Sequence, residues 1–138
     1  MLFLHHNFIF EVKRDWWVEA GMQGFVPNTR SYSGNPESFP DKKFYEVSIN
    51  EIAPVLRELS DGVFNDDSAR GITAKDRAIQ ILQGFLANAA LPPVEVVQLP
   101  ECSPYRYKLT HGAHRFYLSI AAGFTHIPAV DGFDWSRN

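Results

Sequence analysis

The chain reads as an α+β domain, a small mixed sheet with flanking helices. Three observations point there. Short runs rich in β-formers recur at residues 44–49, 94–99, 105–109 and 127–130. Two longer runs, residues 73–90 and 113–123, repeat their apolar positions at three- and four-residue steps instead. The 138 residues are 45% hydrophobic, enough apolar material for a core, so one domain over residues 1–138 is expected.

Residues 2–12 read as one strand, with Leu2, Leu4, Phe8, Phe10 and Val12 on one face and Phe3 and Ile9 on the other. His5 and His6 would then point to opposite faces, so a surface pair is expected rather than a shared metal ion. Residues 13–43 lack a period and are punctuated by Gly21, Gly24, Pro27, Gly34, Pro36 and Pro40. Trp16 and Trp17 open that segment, and core packing is their expected role ahead of stacking on a base. Residues 44–49 alternate as a strand. Residues 50–59 follow as a helix, with Ser48 and Glu51 at capping-box spacing and Pro54 in the first turn. Residues 61–71 form an acidic, turn-rich loop. Its Asp61, Asn65, Asp66 and Asp67 lack EF-hand spacing, so a solvated loop is expected rather than a cation site.

The run 73–90 is the clearest helix. Thr73 with Asp76 resembles an N-terminal cap, and Ala78, Leu82, Phe85, Leu86 and Ala89 form the apolar stripe. Pro92 and Pro93 stop it. Residues 94–99 form a buried strand, residues 101–104 a turn and residues 105–109 the next strand. The helix over 113–123 carries Phe116, Tyr117, Ile120 and Ala121 on one face, and Gly123 suits a left-handed end. Residues 127–130 read as an edge strand, because Pro128 cannot donate to a ladder. Residues 133–138 form a tail.

The chemistry concentrates where residues 105–109 run through a glycine into the helix after it. The first N–H groups of a helix have no partner inside it, and its dipole adds partial positive charge there. Gly112 permits close backbone approach, and Arg115 adds a bidentate cation in the first turn. A phosphate suits such a place. Thr110, His111, Gly112, Ala113, His114 and Arg115 are therefore the candidate phosphate-binding residues. The competing assignment is a plain strand–helix junction with Arg115 paired to a carboxylate. His111 and His114 have i, i+3 spacing that could reach one ion, but two histidines more often bond backbone or phosphate, so no metal is expected.

From Pro92 onward the chain resembles the ParB/sulfiredoxin superfamily. The likeness is carried by residues 91–97 (Leu-Pro-Pro-Val-Glu-Val-Val), 105–109 (Tyr-Arg-Tyr-Lys-Leu), 111–117 (His-Gly-Ala-His-Arg-Phe-Tyr) and 121–130 (Ala-Ala-Gly-Phe-Thr-His-Ile-Pro-Ala-Val). The resemblance implies a ParB/sulfiredoxin-like fold with nucleotide phosphates on the helix start at Gly112, His114 and Arg115. ATP, ADP or CTP with Mg²⁺ would be the ligands. Phosphoryl transfer or nucleotide hydrolysis would be the activity, with His114 at the phosphates and Glu51 as candidate base. A capping role is the stronger reading of Glu51. Ala113 stands where sulfiredoxins carry a catalytic cysteine, and Cys102 does not replace it, so sulfinic acid reduction is not expected. His111 stands where many relatives carry an acidic residue. The resemblance also admits a ParB-like nuclease or DNA-associated domain, and a non-catalytic interaction module that kept the fold.

Charge narrows these. The net charge is −3, which weighs against a protein dominated by nucleic-acid backbone contacts. Yet residues 102–130 contain no acidic residue and include Arg106, Lys108, Arg115 and three histidines. A local positive basin suits a small anionic ligand. One cysteine fits a reducing cytoplasm, and the start of the chain lacks the basic and long apolar regions of a signal peptide. No run approaches membrane-spanning length.

Overall fold

A computed structural model describes residues 1–54, 63–64 and 66–132. The mixed α+β architecture is present. Its main sheet has four strands: β3 (Tyr45–Ser48), β4 (Val94–Gln98), β5 (Tyr107–His111) and β6 (His126–Asp131). Their order is β3-β6-β4-β5, with β6 parallel to β4 and the other neighbours antiparallel. A separate hairpin pairs β1 (Leu2–His5) with β2 (Phe8–Glu11). The α-helices among the described residues are α1 (Arg14–Ala20), α2 (Ala74–Ala87) and α3 (Ala113–Ala122). Among the described residues, no helix is long and apolar enough to cross a membrane.

The two helices expected from periodicity form, and their ends follow from local chemistry. Thr73 accepts the Asp76 N–H at 3.1 Å and opens α2. Asn88 closes α2 in the left-handed region (φ 54), ahead of the proline pair expected to stop it. Gly123 (φ 97) ends α3 in the same way.

Four expectations need correction. Residues 2–12 form a hairpin, because His6 turns the chain at φ 54. The register Phe3↔Phe10 and His5↔Phe8 puts those four side chains on one inner face, and Leu2, Leu4 and Ile9 face outward, 70%, 61% and 62% exposed. His5 is buried as a result. Residues 13–43 contain α1, whose Trp16 is buried edge-on against Phe64 and whose Trp17 packs near Phe3. The helix expected over 50–59 begins only as a 3₁₀ turn, Ile49–Glu51. Ile52 is already extended and bridges Tyr107, where a helix would need its backbone coiled; residues 55–59 lie outside the described residues. Finally, β6 is an interior strand. Its parallel ladder with β4 starts at Ala129 opposite Val94, so Pro128 lies ahead of that ladder and its missing N–H does not interrupt it.

The core gathers around α3. Phe116, Tyr117 and Leu118 are fully buried, as are Val94, Val96 and Ile127 of the sheet and Leu82 of α2. Tyr117 meets Phe10 of the hairpin with ring centroids 4.7 Å apart, and Phe116 meets the His5 ring edge-on at 5.1 Å. α3 is thus enclosed by the sheet, the hairpin and α2, which fixes its N-terminus in place.

Candidate functional site

Gly112 joins β5 to α3 at φ 100 and ψ 30, a conformation that L side chains rarely adopt. The space is also closed to a side chain. An added Cβ would lie 2.8 Å from Val94 Cγ1 and 3.0 Å from Arg115 Nη2. The Arg115 guanidinium therefore folds back over the turn that starts its own helix.

The two long helices begin differently. The first turn of α2 is capped twice, by Thr73 Oγ1 on the Asp76 N–H and by Asp66 Oδ1 on the Ala74 N–H at 2.7 Å. Among the described residues no side-chain cap bond closes the start of α3 at Gly112, and no acidic residue stands in its first turn. Its helical ladder starts with Phe116 N donating to Gly112 O at 3.0 Å, so the N–H groups before Phe116 precede that ladder.

Arg115 is half-buried, and its Nε is fully buried without a hydrogen-bond partner. Among the described residues no carboxylate lies within 4.0 Å of it. Its neighbour is the Tyr32 phenol, which donates to Pro92 O at 2.6 Å and stacks on Phe85. Burial pushes the Tyr32 phenol well above its usual range, and the Arg115 guanidinium pulls it back by less, so the ring stays neutral beside the cation.

A cavity of about 560 Å³ opens over this turn. His111, Gly112, Ala113, His114 and Arg115 line it together. His111 is exposed at the mouth, whereas His114 is 6% exposed with its ring 5.5 Å from Phe64. The opposite wall comes from α2 and the loop before it and includes Asp66, Asp67, Arg70, Arg77 and Gln80. The Asp67 carboxylate turns back on its own loop, accepting the Arg70 N–H at 3.3 Å and facing Arg70 Nε at 3.8 Å.

Two expected residues are elsewhere. Thr110 does not line the cavity. Its hydroxyl donates to Glu95 O at 3.2 Å and faces Gly132, since alternate strand residues point to opposite sides of β5. Glu51 lies at the far end of β5, where its backbone carbonyl accepts the Arg106 N–H and its carboxylate pairs with Arg106 at 3.7 Å. From Arg106 to Gly112 the strand advances roughly 20 Å, so Glu51 and His114 do not share a site. Arg70, Arg77 and Gln80 were missed by the sequence reading. Arg77 with Ile81, at i, i+4 beside the buried stripe of α2, was the available signal.

No cluster of metal-binding side chains occurs among the described residues; Asp61 and Asn65 of the acidic loop lie outside them. His126 is turned away from the cavity and bonds Thr125 Oγ1 at 2.8 Å. No protein-family model, curated protein or solved structure matches this chain.

Proposed function

We propose that the cavity over the start of α3 binds a phosphate-bearing small molecule, a nucleotide such as ATP, ADP or CTP with Mg²⁺ or another phosphate ester. The observation that carries the reading is Arg115. It is a half-buried guanidinium with an unbonded Nε and no carboxylate in reach among the described residues, held over an uncapped helix start. Burying a cation without a counter-charge is costly, and an anionic ligand offsets that cost while using the first-turn N–H groups. His114, Ala113 and Gly112 contribute backbone at the same place, and His111 stands at the mouth. Membership of the ParB/sulfiredoxin superfamily belongs to the same proposal, supported by the strand, positive-φ glycine and helix in sequence at residues 107–122. The proposal is for binding. The distance of Glu51 from the cavity removes the base expected for phosphoryl transfer.

The test is calorimetric titration with ATP, ADP, CTP and inorganic phosphate, with and without Mg²⁺, on the wild type and Arg115→Ala. Charge-assisted hydrogen bonds contribute about 1.5–3 kcal/mol, so the variant should lose roughly 10- to 100-fold in affinity. Silence from every ligand with a folded protein sinks the proposal.

A further inference from the structure

We infer that Tyr32 is a positioning residue of this site: its phenol holds the Arg115 guanidinium over Gly112 without taking up its charge. The inference rests on the phosphate reading of the same cavity. It adds the residue that keeps Arg115 set for an anion before any ligand arrives.

Three observations carry it. First, the direction of the hydrogen bonds is forced. The phenol has one proton and gives it to Pro92 O at 2.6 Å. Its oxygen can then only accept, and a guanidinium can only donate, so the bond between them runs from Arg115 to the phenol oxygen. Second, the acceptor is uncharged. A carboxylate in that place would neutralise Arg115 and compete with a ligand anion, whereas a phenol orients the side chain and leaves its charge available. Third, Tyr32 is itself fixed, although it lies outside any helix or strand. It is 4% exposed and stacks on Phe85 with ring centroids 5.5 Å apart. On one side of it Arg30 O accepts the Thr125 and His126 N–H groups. On the other, the Leu91 N–H donates to Ser33 O at 2.8 Å and Leu91 O accepts the Asn35 N–H at 2.7 Å. The neighbouring residues of that segment then act twice: Pro92 O anchors the phenol, and Val94 closes the space beside Gly112. The turn and the cation above it are thus built on the same short piece of chain. A long side chain ordered in advance makes an anion cheaper to bind, because its freedom is already lost.

The experiment is a double-mutant cycle read by calorimetry with ATP, ADP, CTP and inorganic phosphate. The proteins are the wild type, Tyr32→Phe, Arg115→Ala and the double variant, each checked for folding by near-ultraviolet circular dichroism. Tyr32→Phe keeps the stacked ring and removes only the oxygen. It should weaken binding about 3- to 10-fold, the cost of ordering one long side chain. In the Arg115→Ala background the same change should have no effect, because Tyr32 acts through Arg115. A purely structural role would instead carry the same loss into both backgrounds. A second readout needs no Tyr32 variant and decides the matter if that variant does not fold or Arg115→Ala binds too weakly to titrate. In nitrogen-15 spectra of the ligand-free wild type, the Arg115 guanidinium signals, assigned by their loss in Arg115→Ala, should show separate, slowly exchanging Nη protons, unlike those of exposed Arg14. Tyr32→Phe binding as tightly as wild type, equal losses in both backgrounds, or an Arg115 guanidinium that rotates as freely as that of Arg14 would each overturn the inference and leave the phosphate site standing. No binding to the folded wild type overturns the phosphate reading and the inference with it.

Discussion

Replacing Gly112 with alanine separates two physical costs that the structure makes distinct. The first is backbone strain. At φ 100 an L residue lies outside the usual left-handed region, and such conformations cost on the order of 1–3 kcal/mol. The second is contact. The new methyl would sit 2.8 Å from Val94 Cγ1, a fully buried side chain that cannot swing away, and overpacking of this kind costs about 1–3 kcal/mol. Together they predict a loss of roughly 2–6 kcal/mol, a large part of a small domain's stability. Gly24→Ala is the control, since Gly24 also has positive φ (76) but nothing within 4 Å of an added Cβ. It should lose only about 1 kcal/mol, part of the strain being recovered because alanine restricts the unfolded chain. Urea unfolding with linear extrapolation measures both. Val94→Ala in the Gly112→Ala background removes the offending methyl, so the double mutant should recover about 1–2 kcal/mol relative to additivity. If Gly112→Ala and Gly24→Ala lose the same stability within about 0.5 kcal/mol, the contact argument is wrong and the turn is looser than described.

Two further outcomes follow from other contacts. Burial holds the His5 imidazole below its usual 6.5, against the pull of its bond to Ile52 O, and the neighbouring His6 lowers it further. The unfolded chain therefore binds the proton first; the contribution of neutral His5 is whole above pH 6.5 and is lost as pH falls from there toward the lower folded value. The urea midpoint should drop between pH 7.5 and 5.5, and His5→Gln should flatten that drop; an identical drop in the variant would dismiss His5 as its source. At the start of α2, Thr73→Ala removes the acceptor of the Asp76 N–H and should cost about 1 kcal/mol by the same assay, whereas no loss would mean that Asp66 alone suffices as a cap.

The legible parts of this chain were those written in nearest neighbours. The cap at Thr73, the buried Ala78, Leu82 and Phe85 of the expected stripe, and the left-handed end at Gly123 each depend on a few adjacent residues, and each is found in the structure, whereas Leu86 and Ala89 of that stripe are exposed. The grouping of residues 111–115 at one cavity follows for the same reason, since they are consecutive. What was not legible depends on partners far along the chain. Pro128 argued for an edge, but the strand's place in the sheet is set by Val94 and Tyr45 on either side of it. The turn at His6 carries no glycine, so nothing local announced a hairpin. Ser48 and Glu51 have capping spacing, yet Ile52 is drawn into a bridge with Tyr107. The wall of Arg70 and Arg77 faces Arg115 only because α2 packs on α3.

The interior position of β6 has a consequence for how the chain is made. Within the described sheet, β6 is what joins β3 to the β4–β5 pair, and the Tyr45 hydroxyl finds Asp131 across 86 positions of sequence. At a synthesis rate of about 5–20 residues per second, β3 leaves the ribosome several seconds before its pairing partner exists. The β4–β5 hairpin, by contrast, needs only local chain. Closure of the described sheet thus waits for β6 to emerge. Until then β3 presents an unsatisfied backbone edge, with Glu46 on it as the charged residue that discourages pairing with another chain.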